Sequence, residues 1–283
     1  NIFVTGSNDT IVNSTITNSR GAGVVITGSH DSVVDSNVSY DGDGIDITGS
    51  YDSVVDSNVS YNWYGINITG PGNSVVNSNV SYNKYGVYVN GSYNSFVGDR
   101  FQGDGIFLVG PYYEVVANDT VNGRPLVYLY DASNATVGDA GQVIAVDSRN
   151  VRVIGVNVSN ATVGVQLLDV NDSVIEDVMA SGDFGVGVNI TGNNNSIVDS
   201  NVSGDSVNIF VTGSNDTIVN STITNNGYGA GVVITGSHDS VVNSTVSHNW
   251  YGDGIDITGS YDSVVDSTVS DFGVGINVTG SND

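Results

Sequence analysis

Hydrophobic and polar residues alternate in short phrases that recur about every 21 to 23 residues, a pattern typical of a stacked repeat. The phrase at 32–39, Ser-Val-Val-Asp-Ser-Asn-Val-Ser, returns nearly unchanged at 53–60, 74–81, 196–203 and 263–270. Alternation with a period of two predicts that Val34 and Val38 face the core, and that Asp35 and Asn37 face solvent. The phrase at 44–49 likewise places its isoleucines inside.

Each turn is therefore predicted to contain two short strands joined by corners rich in Gly and Asn. Stacking such turns gives an all-β fold, a single-stranded parallel β-helix or β-solenoid of about 13 turns with about 21 to 23 residues in each. We expect one continuous domain over 1–283, with regular turns at 1–110, irregular turns at 111–180 and regular turns again at 181–283. The last part partly duplicates 1–60, and residues 1–18 are identical to 208–225.

One hydrophobic position does not fit this simple alternation, because it precedes the inward valine and should point outward. Its residues predict a lateral-packing strip on the surface, although a bend in the strand would leave both neighbours half-buried. The strip consists of Ile11, Val33, Val54, Val75, Phe96, Ile197, Ile218, Val241 and Val264.

The middle of the chain, 118–130 and 150–167, together with the flanking turns of the form Asn-Ser-x-Val-x-x-Ser-x-Val, resembles the NosD-like right-handed parallel β-helix repeat proteins of archaeal cell surfaces. The resemblance covers the whole chain and implies a right-handed helix in a secreted or surface-bound scaffold. Copper delivery, known for a few members, needs His, Met or Cys ligands. The chain has no cysteine, Met179 as its one methionine, and only His30, His238 and His248, so we expect no copper site.

The chain is strongly acidic, with a formal net charge of −24 that comes mainly from aspartate. Such a surface repels nucleic-acid backbones, so we expect no nucleic-acid partner. The absence of cysteine excludes disulfides and thiolate metal sites. Since no apolar run reaches the length of a membrane span and no leader precedes Asn1, we also expect no membrane insertion in this segment.

Sequons of the form Asn-x-Ser/Thr are frequent, which fits an extracellular glycoprotein but is also what a copied repeat would produce. The candidate glycosylation sites are Asn8, Asn37, Asn58, Asn67, Asn79, Asn90, Asn118, Asn134, Asn157, Asn189, Asn201, Asn215, Asn243 and Asn277.

Carboxylates in the irregular middle offer the best candidate for catalysis. Many right-handed β-helices cleave acidic polysaccharides or hydrolyse glycosides with clustered carboxylates. Asp147, Asp169 and Asp172 around Arg149 could form such a cluster, or they could be ordinary corner residues. An aspartate-covered surface would repel a polyuronate substrate, and we expect no catalytic residues and no cofactor.

Calcium is a further possibility, because Asp35 and Asp56, and also Asp31 and Asp52, should stack one turn apart and like charges there need relief. Corner aromatic residues could instead stack on sugar rings or simply cover the corner backbone. These residues are Tyr40, Tyr61, Trp63, Tyr64, Tyr82, Tyr85, Trp250 and Tyr251.

Taken together, these patterns favour a structural protein of the cell surface, such as a surface-layer, sheath or filament subunit. It would be extracellular and N-glycosylated at its sequons, and its partners would be copies of itself, end to end or side by side. The two ends stop in the same phase of the repeat without a blunt final turn, which favours polymerisation or a longer parent chain. The alternative is a β-helix that binds or cleaves carbohydrate, an adhesin, lyase or hydrolase, with its site on the middle turns.

Overall fold

The computed structural model describes residues 1–182, 185–204, 206–224, 229–247, 252–270 and 273–283. None of these residues lies in a helix. The chain packs as two compact units, Asn1–Leu126 and Val127–Asp283. The expected single continuous domain stays a prediction, and each unit is described by itself.

The first unit is built from very short parallel strands. In chain order they are β1 (Ile2–Val4), β2 (Thr10–Val12), β3 (Thr15–Thr17), β4 (Val24–Ile26), β5 (Ser32–Val34), β6 (Asn37–Ser39), β7 (Asp43–Ile47), β8 (Ser53–Val55), β9 (Asn58–Ser60), β10 (Tyr64–Ile68), β11 (Ser74–Val76), β12 (Asn79–Ser81), β13 (Tyr85–Val89), β14 (Ser95–Val97), β15 (Arg100–Gln102), β16 (Ile106–Leu108), β17 (Val115–Ala117) and β18 (Thr120–Val121). The next strand, β19 (Arg124–Tyr130), begins in this unit and ends in the second.

Every third strand of this unit pairs with its counterpart one turn later, which makes three parallel sheets. Their orders are β1-β4-β7-β10-β13-β16, β2-β5-β8-β11-β14-β17 and β3-β6-β9-β12-β15-β18. Like residues therefore stack on like: Val54 pairs with Val33 and with Val75. The irregular stretch begins with one antiparallel pair, in which Val121 of β18 faces Arg124 of β19 across the turn Asn122–Gly123.

The second unit repeats this plan. Its strands are β20 (Thr136–Val137), β21 (Gln142–Val146), β22 (Arg152–Ile154), β23 (Val163–Leu168), β24 (Val174–Glu176), β25 (Met179–Ser181), β26 (Val186–Asn193), β27 (Ser196–Val198), β28 (Asn201–Ser203), β29 (Val207–Ser214), β30 (Thr217–Val219), β31 (Thr222–Thr224), β32 (Val232–Ser237), β33 (Ser240–Val242), β34 (Thr245–Ser247), β35 (Asp253–Ser260), β36 (Ser263–Val265), β37 (Thr268–Ser270) and β38 (Val274–Ser281).

Within this unit the sheets again run turn by turn, as β20-β22-β24-β27-β30-β33-β36, as β25-β28-β31-β34-β37 and through β21-β23-β26-β29-β32-β35-β38. The register between neighbouring turns is regular: Ile209 pairs with Val232, and Val232 pairs with Ile255. The core consists of stacked Val, Ile and Leu side chains, such as Val165, Val188 and Ile209, all fully buried. The all-β parallel solenoid expected from the repeat is confirmed in both units.

The predicted lateral-packing strip is wrong for most of its members, because these residues form the core. Val33, Val54, Val75, Phe96, Ile197, Ile218 and Val241 are at most 2% exposed. Only Ile11 and Val264 are half-buried. Val34, predicted to face the core, is half-buried instead, whereas Val38, Ile45 and Ile47 are buried as predicted.

The reason is a corner inside the phrase 32–39. Asp35 has a left-handed backbone with φ of 49°, and its counterparts Asp56, Asn77 and Asp199 have φ of 48°, 52° and 49°. This corner ends β5 at Val34 and begins β6 at Asn37, so the strict alternation does not continue through it. Each regular turn therefore contains three strands rather than the predicted two, and Val33 and Val38 both face inward.

The second position of the corner holds a ladder of buried serines. The backbone amide of Ser36 donates to Oγ of Ser57 at 3.1 Å, and the amide of Ser57 donates to Oγ of Ser78 at 3.2 Å. Ser57 Oγ in turn donates to the carbonyl oxygen of Val55 at 2.9 Å. These bonds satisfy corner amides that no strand pairs, as buried backbone groups require. Ser36, Ser57 and Ser78 thus form a ladder of buried hydroxyl groups along this corner.

Candidate binding surfaces

Aromatic side chains form a compact cluster on the outer face of the first unit. The outward positions of β10, β13 and β16 carry Tyr64, Tyr85, Tyr88 and Phe107, which we call the ring cluster. Tyr64 stacks on Tyr85 with ring centroids 5.1 Å apart, and Tyr88 stacks on Phe107 at 5.7 Å. The two stacks meet edge to face, since Tyr85 is inclined by 79° to Tyr88 and by 71° to Phe107. All four rings are half-buried, so part of each remains open to a ligand.

A polar edge adjoins the ring cluster on the same sheet. Asn67 of β10 pairs with Asp46 of β7 on one side and with Tyr88 of β13 on the other. Asn67 Nδ2 donates to Oδ1 of Asp46 at 3.1 Å. Asp43, at the start of β7, pairs with Tyr64. Carboxylate, amide and phenol groups thus lie beside apolar rings on one continuous face.

Partial burial raises the pKa values of carboxyl and phenol groups on this surface. Burial raises the pKa of Asp43, and the neighbouring Asp46 raises it further. Burial also raises the pKa of Asp46, against the opposing effect of the hydrogen bond from Asn67. The pKa of Tyr85 is raised by burial and then by Tyr64 and Tyr88, which keeps its phenol protonated as a hydrogen-bond donor. The surface therefore offers both acceptors and donors to hydroxyl groups.

The corner aromatic residues of the first unit stack into a second, separate row. Tyr40, Tyr61 and Tyr82 lie one above another with centroid distances of 5.1 and 5.5 Å, and we call them the tyrosine ladder. Their planes are nearly parallel, at 5° and 14°. Tyr40, Tyr61 and Tyr82 are 50–59% exposed, so the ladder is also open to solvent. No solvent-accessible carboxylate–amide pair like that of Asp46 and Asn67 is described beside it, and it therefore offers a ligand fewer kinds of contact than the ring cluster.

Trp63 lies next to this region and is 53% exposed. The ammonium of Lys84 sits 3.9 Å from the centre of its ring, a cation–π contact that covers one face of the indole. Trp250 and Tyr251, which belong to the same predicted aromatic set, lie outside the described residues. Tyr88 and Phe107 were not predicted. The sequence could have indicated them, because they occupy the outward strand position that Asp46 and Asn67 occupy in earlier turns.

The middle carboxylates line an open hollow in the second unit. Asp147, Asp169 and Arg149 border a space of about 490 Å³ together with Asp131, Ser133 and Asn171. Asp172 is not among these lining residues, and its Oδ1 accepts a hydrogen bond from Asn194 at 3.2 Å. Within the described part of the chain, the one ion pair joins Arg152 to Glu176 at 3.2 Å, so Arg149 holds none of these carboxylates. Three of the four predicted residues, Asp147, Arg149 and Asp169, thus line the hollow, and Arg149 forms no ion pair with either carboxylate.

The two predicted calcium positions differ in burial. Asp35 and Asp56 lie on the surface and border a shallow space of about 520 Å³ with Asn13, Asn37 and Asn58. Asp31 and Asp52 are instead 1% exposed and accept backbone hydrogen bonds inside the unit. Among the described residues no three His, Asp or Glu side chains are grouped closely enough to hold a metal ion. Calcium binding stays a prediction.

The histidines are distributed between the units. His30 stacks on Tyr51 in the first unit, and His238 stacks on Tyr261 in the second. His248 lies outside the described residues. Met179 is 47% exposed and contacts Asn157. Each described histidine thus packs against a tyrosine ring of its own unit.

The sequon asparagines differ in exposure. Asn189 is 9% exposed, and Asn67 and Asn277 donate to Asp46 and Asp256. The other candidates have exposed side chains: Asn8, Asn37, Asn58, Asn79, Asn90, Asn118, Asn134, Asn157, Asn201, Asn215 and Asn243. Their glycosylation stays a prediction, and the exposed set is the one that an oligosaccharide could reach. In the described part of the chain there is also no helix long and apolar enough to cross a bilayer.

Comparison with solved structures finds similar proteins at low sequence identity and low TM-score. The Dettilon tailspike protein is 13% identical over 90% of this chain and 60% of its own, with a TM-score of 0.38. The Azotobacter vinelandii mannuronan C-5 epimerase module is 11% identical over 97% and 91%, with a TM-score of 0.37. A surface adhesin of Streptococcus pneumoniae is 10% identical over 99% and 83%, with a TM-score of 0.35. The chain spans 60% of the length of the tailspike and 63% of that of a similar α-1,3-glucanase domain.

No curated protein sequence matches the chain. A family model, that of the right-handed β-helix region, matches residues 1–140 and 141–283. The narrower resemblance to NosD-like proteins of archaeal surfaces stays a prediction. Since the two matches cover the chain from end to end, and both units are built from parallel stacked turns, the chain belongs to the right-handed β-helix family.

Proposed function

We propose that this β-helix is an extracellular surface protein that binds neutral carbohydrate chains on the outer sheet face of its first unit and does not cleave them. The observation that carries the proposal is the continuity of the ring cluster with Asp46 and Asn67. Sugars present apolar C–H faces and hydroxyl edges, and this surface offers aromatic rings beside carboxylate and amide groups. The formal net charge of −24 disfavours polyuronates and other anionic polymers.

The second unit provides an internal comparison for this proposal. Asn277 Nδ2 donates to Oδ1 of Asp256 at 3.0 Å, which reproduces the pair of Asn67 and Asp46. The residues at the position of Tyr88 in this sheet are Phe210 and Val233, in register with Asn189 and Asp256. The polar pair therefore recurs without the four packed rings, and we expect the first unit to hold the binding surface.

The test is binding of soluble neutral glucans, with a polyuronate of similar length as the anionic comparison, measured by calorimetry or affinity electrophoresis. Tyr88→Ala and Phe107→Ala should each weaken glucan binding by about 3- to 10-fold, the loss of one aromatic contact of about 0.5–1.5 kcal/mol. Phe210→Ala, which removes a half-buried outward ring from the second unit, is the matched control and should leave the affinity unchanged. Equal losses in all three variants, or no glucan binding by the unaltered chain, would refute the proposal.

The hollow around Arg149 supplies the test of the enzymatic alternative. If the chain cleaves a polysaccharide there, Asp147→Ala and Asp169→Ala should abolish the release of new chain ends while Tyr88→Ala only weakens binding. We expect no release of chain ends by the unaltered protein.

A structural role at the cell surface is the second candidate, favoured by the duplication of residues 1–18 at 208–225. Identical surface segments in both units suit a repetitive scaffold that associates with copies of itself. The burial of Val33, Val54 and Val75 removes the lateral strip as its contact surface. Electron microscopy of the purified protein distinguishes the two functions. Regular filaments would favour the structural role, and dispersed particles would favour carbohydrate binding.

A further inference from the structure

Aspartate and asparagine occupy equivalent positions in an internal ladder that runs beside the core. In the first unit the backbone amide of Asp31 donates to Oδ1 of Asp52 at 2.8 Å, and the amide of Asp52 donates to Oδ1 of Asn73 at 2.8 Å. In the second unit the amide of Asp216 donates to Oδ1 of Asp239, and that of Asp239 to Oδ1 of Asp262, both at 2.8 Å. Aspartate and asparagine thus use one oxygen in the same way.

The second side-chain atom of the ladder faces carbonyl groups. Asn73 Nδ2 donates to the carbonyl oxygens of Gly70 at 3.0 Å and of Gly49 at 3.2 Å. Gly70 lies three residues before Asn73 in the sequence, and Gly49 belongs to the previous turn. The position occupied by this atom is therefore surrounded by acceptors and suits a hydrogen-bond donor.

Aspartate places an oxygen at this position. A glycine also lies three residues before Asp52 and before Asp239, and a Cβ built on Gly49 or Gly236 would come within 2.5 Å of Asp52 Oδ2 and 2.6 Å of Asp239 Oδ2. Oδ2 of Asp31, Asp52, Asp216, Asp239 and Asp262 is buried and has no hydrogen-bond partner. These residues are 1–4% exposed. An ionised oxygen there would face carbonyl oxygens without any compensating donor, which is costly in the interior.

We propose that Asp52, Asp216 and Asp239 of this ladder are proton-binding sites, and that in mild acid each carries a proton on Oδ2 in the folded protein and donates it to the glycine carbonyls as Asn73 does. A neutral carboxylic acid has one O–H donor and one remaining acceptor oxygen, which is what the ladder position requires. In mild acid the folded chain then carries fewer negative charges than the unfolded chain does.

The charges around the ladder support the neutral form. Burial raises the pKa of Asp239 to about 7 against the backbone bond from Asp216, and the carboxyls of Asp216 and Asp262 raise it further. Burial raises the pKa of Asp216 to about 6, against the bonds from the backbone and side chain of Asn195. For Asp52, burial and Asp31 raise the pKa, while the Asp31 backbone bond and His30 lower it. No lysine or arginine forms an ion pair with these groups in the described chain.

The sign of the pH effect follows from this. A carboxyl whose pKa is higher in the folded state than in the unfolded state contributes stability that is fully present below the unfolded value and is lost as the pH rises through the folded value. For Asp216 and Asp239 the loss falls between about pH 4 and pH 7, the interval from the ordinary aspartate pKa to the raised ones. The protein should be most stable in mild acid.

The test uses the full chain and compares Asp239→Asn with Asp199→Asn. The first variant installs the residue that Asn73 and Asn195 supply to the ladder. The second changes an exposed corner aspartate, at a position that Asn220 and Asn243 occupy in later turns, and controls for general relief of surface repulsion. Thermal midpoints are measured from pH 5 to pH 8, with infrared spectra of the protonated carboxyl band at each pH.

The unaltered protein and Asp199→Asn should lose thermal stability in parallel as the pH rises. Asp239→Asn should match the unaltered protein at pH 5, exceed it at pH 8 and show a weaker protonated carboxyl band at pH 6. A midpoint for Asp239→Asn below that of the unaltered protein at pH 8 would overturn the proposal.

A divalent cation bound at Oδ2 would also overturn it. Calcium chloride would then raise the midpoint of the unaltered protein at pH 8, a chelator would lower it, and Asp239→Asn would respond to neither.

Discussion

Asp239 Oδ1 accepts the backbone amide of Asp216 at 2.8 Å, so a carboxyl side chain of one turn caps the backbone of the turn before it. The same relationship joins Asp52 to Asp31 in the first unit. Ser57, one corner further along the turn, does the same for Ser36 with its hydroxyl group. Neighbouring turns are thus held together by side chains at their corners as well as by strand pairing, because corner amides would otherwise be buried without partners.

Phe96 tests whether the predicted strip is core or surface. Since Phe96 is 0% exposed, Phe96→Ala should lower the free energy of unfolding by about 3–5 kcal/mol. Phe3→Ala removes a ring that is 68% exposed and should change it by less than about 0.5 kcal/mol. Urea denaturation followed by circular dichroism measures both variants. Equal small losses of unfolding free energy would indicate that Phe96 lies on the surface, as the lateral-packing strip predicted.

Gly49 tests the close approach of neighbouring turns. A Cβ on this residue would overlap the carbonyl oxygen of Gly28 in the previous turn, which is backbone and cannot move aside. Gly49→Ala should therefore destabilise the chain by about 1–3 kcal/mol or more. A Cβ on Gly21, in contrast, would meet nothing within 4 Å. Gly21→Ala should be neutral or stabilising by up to about 1 kcal/mol. Thermal unfolding of both variants and of the unaltered protein measures these changes.

Tyr61 tests what the tyrosine ladder contributes. Its φ of 59° is left-handed, a conformation that costs a residue other than glycine about 1–2 kcal/mol. Tyr61→Gly relieves this cost but loses two stacking contacts of about 0.5–1.5 kcal/mol each, so the net change in unfolding free energy should stay within about 1 kcal/mol.

The comparison for Tyr61→Gly is Tyr85→Gly. Tyr85 lies in β13, its ring is half-buried, and its backbone φ is not left-handed. This variant gains no relief from backbone strain and loses its contacts with Tyr64, Tyr88 and Phe107. Thermal unfolding should show it to be clearly less stable than Tyr61→Gly. Equal destabilisation of the two would mean that the ladder itself supports the fold.

Much of the fold follows from alternation, and the part that fails has one physical cause. Ile45, Ile47 and Val38 face inward as the period of two predicts, because each lies within a single strand. Val33 was assigned to the wrong side because the left-handed Asp35 divides its phrase into two strands. Aspartate and asparagine tolerate this conformation, so their recurrence at that position was the available signal.

The candidate surfaces were predictable only in part. Corner tyrosines were identified from their repetition, whereas Tyr88 and Phe107 replace polar residues at an outward strand position and break the repeat there. Asp31 and Asp52 were expected to be stacked surface charges. Their burial depends on a glycine three residues earlier, whose missing side chain leaves room for the carboxyl group, and alternation alone does not reveal that dependence.

The register of the sheets has a consequence for how such a gene can change. Asn189 pairs with Phe210, 21 residues later, and Val233 pairs with Asp256, 23 residues later, so turns of different length keep the same partners. Recombination between copies of the repeat that inserts or deletes one whole turn would preserve every column of the stack. The identity of residues 1–18 and 208–225 fits the duplication of a longer block of turns. Lineages carrying this gene could therefore vary in the number of turns without passing through a misfolded intermediate length.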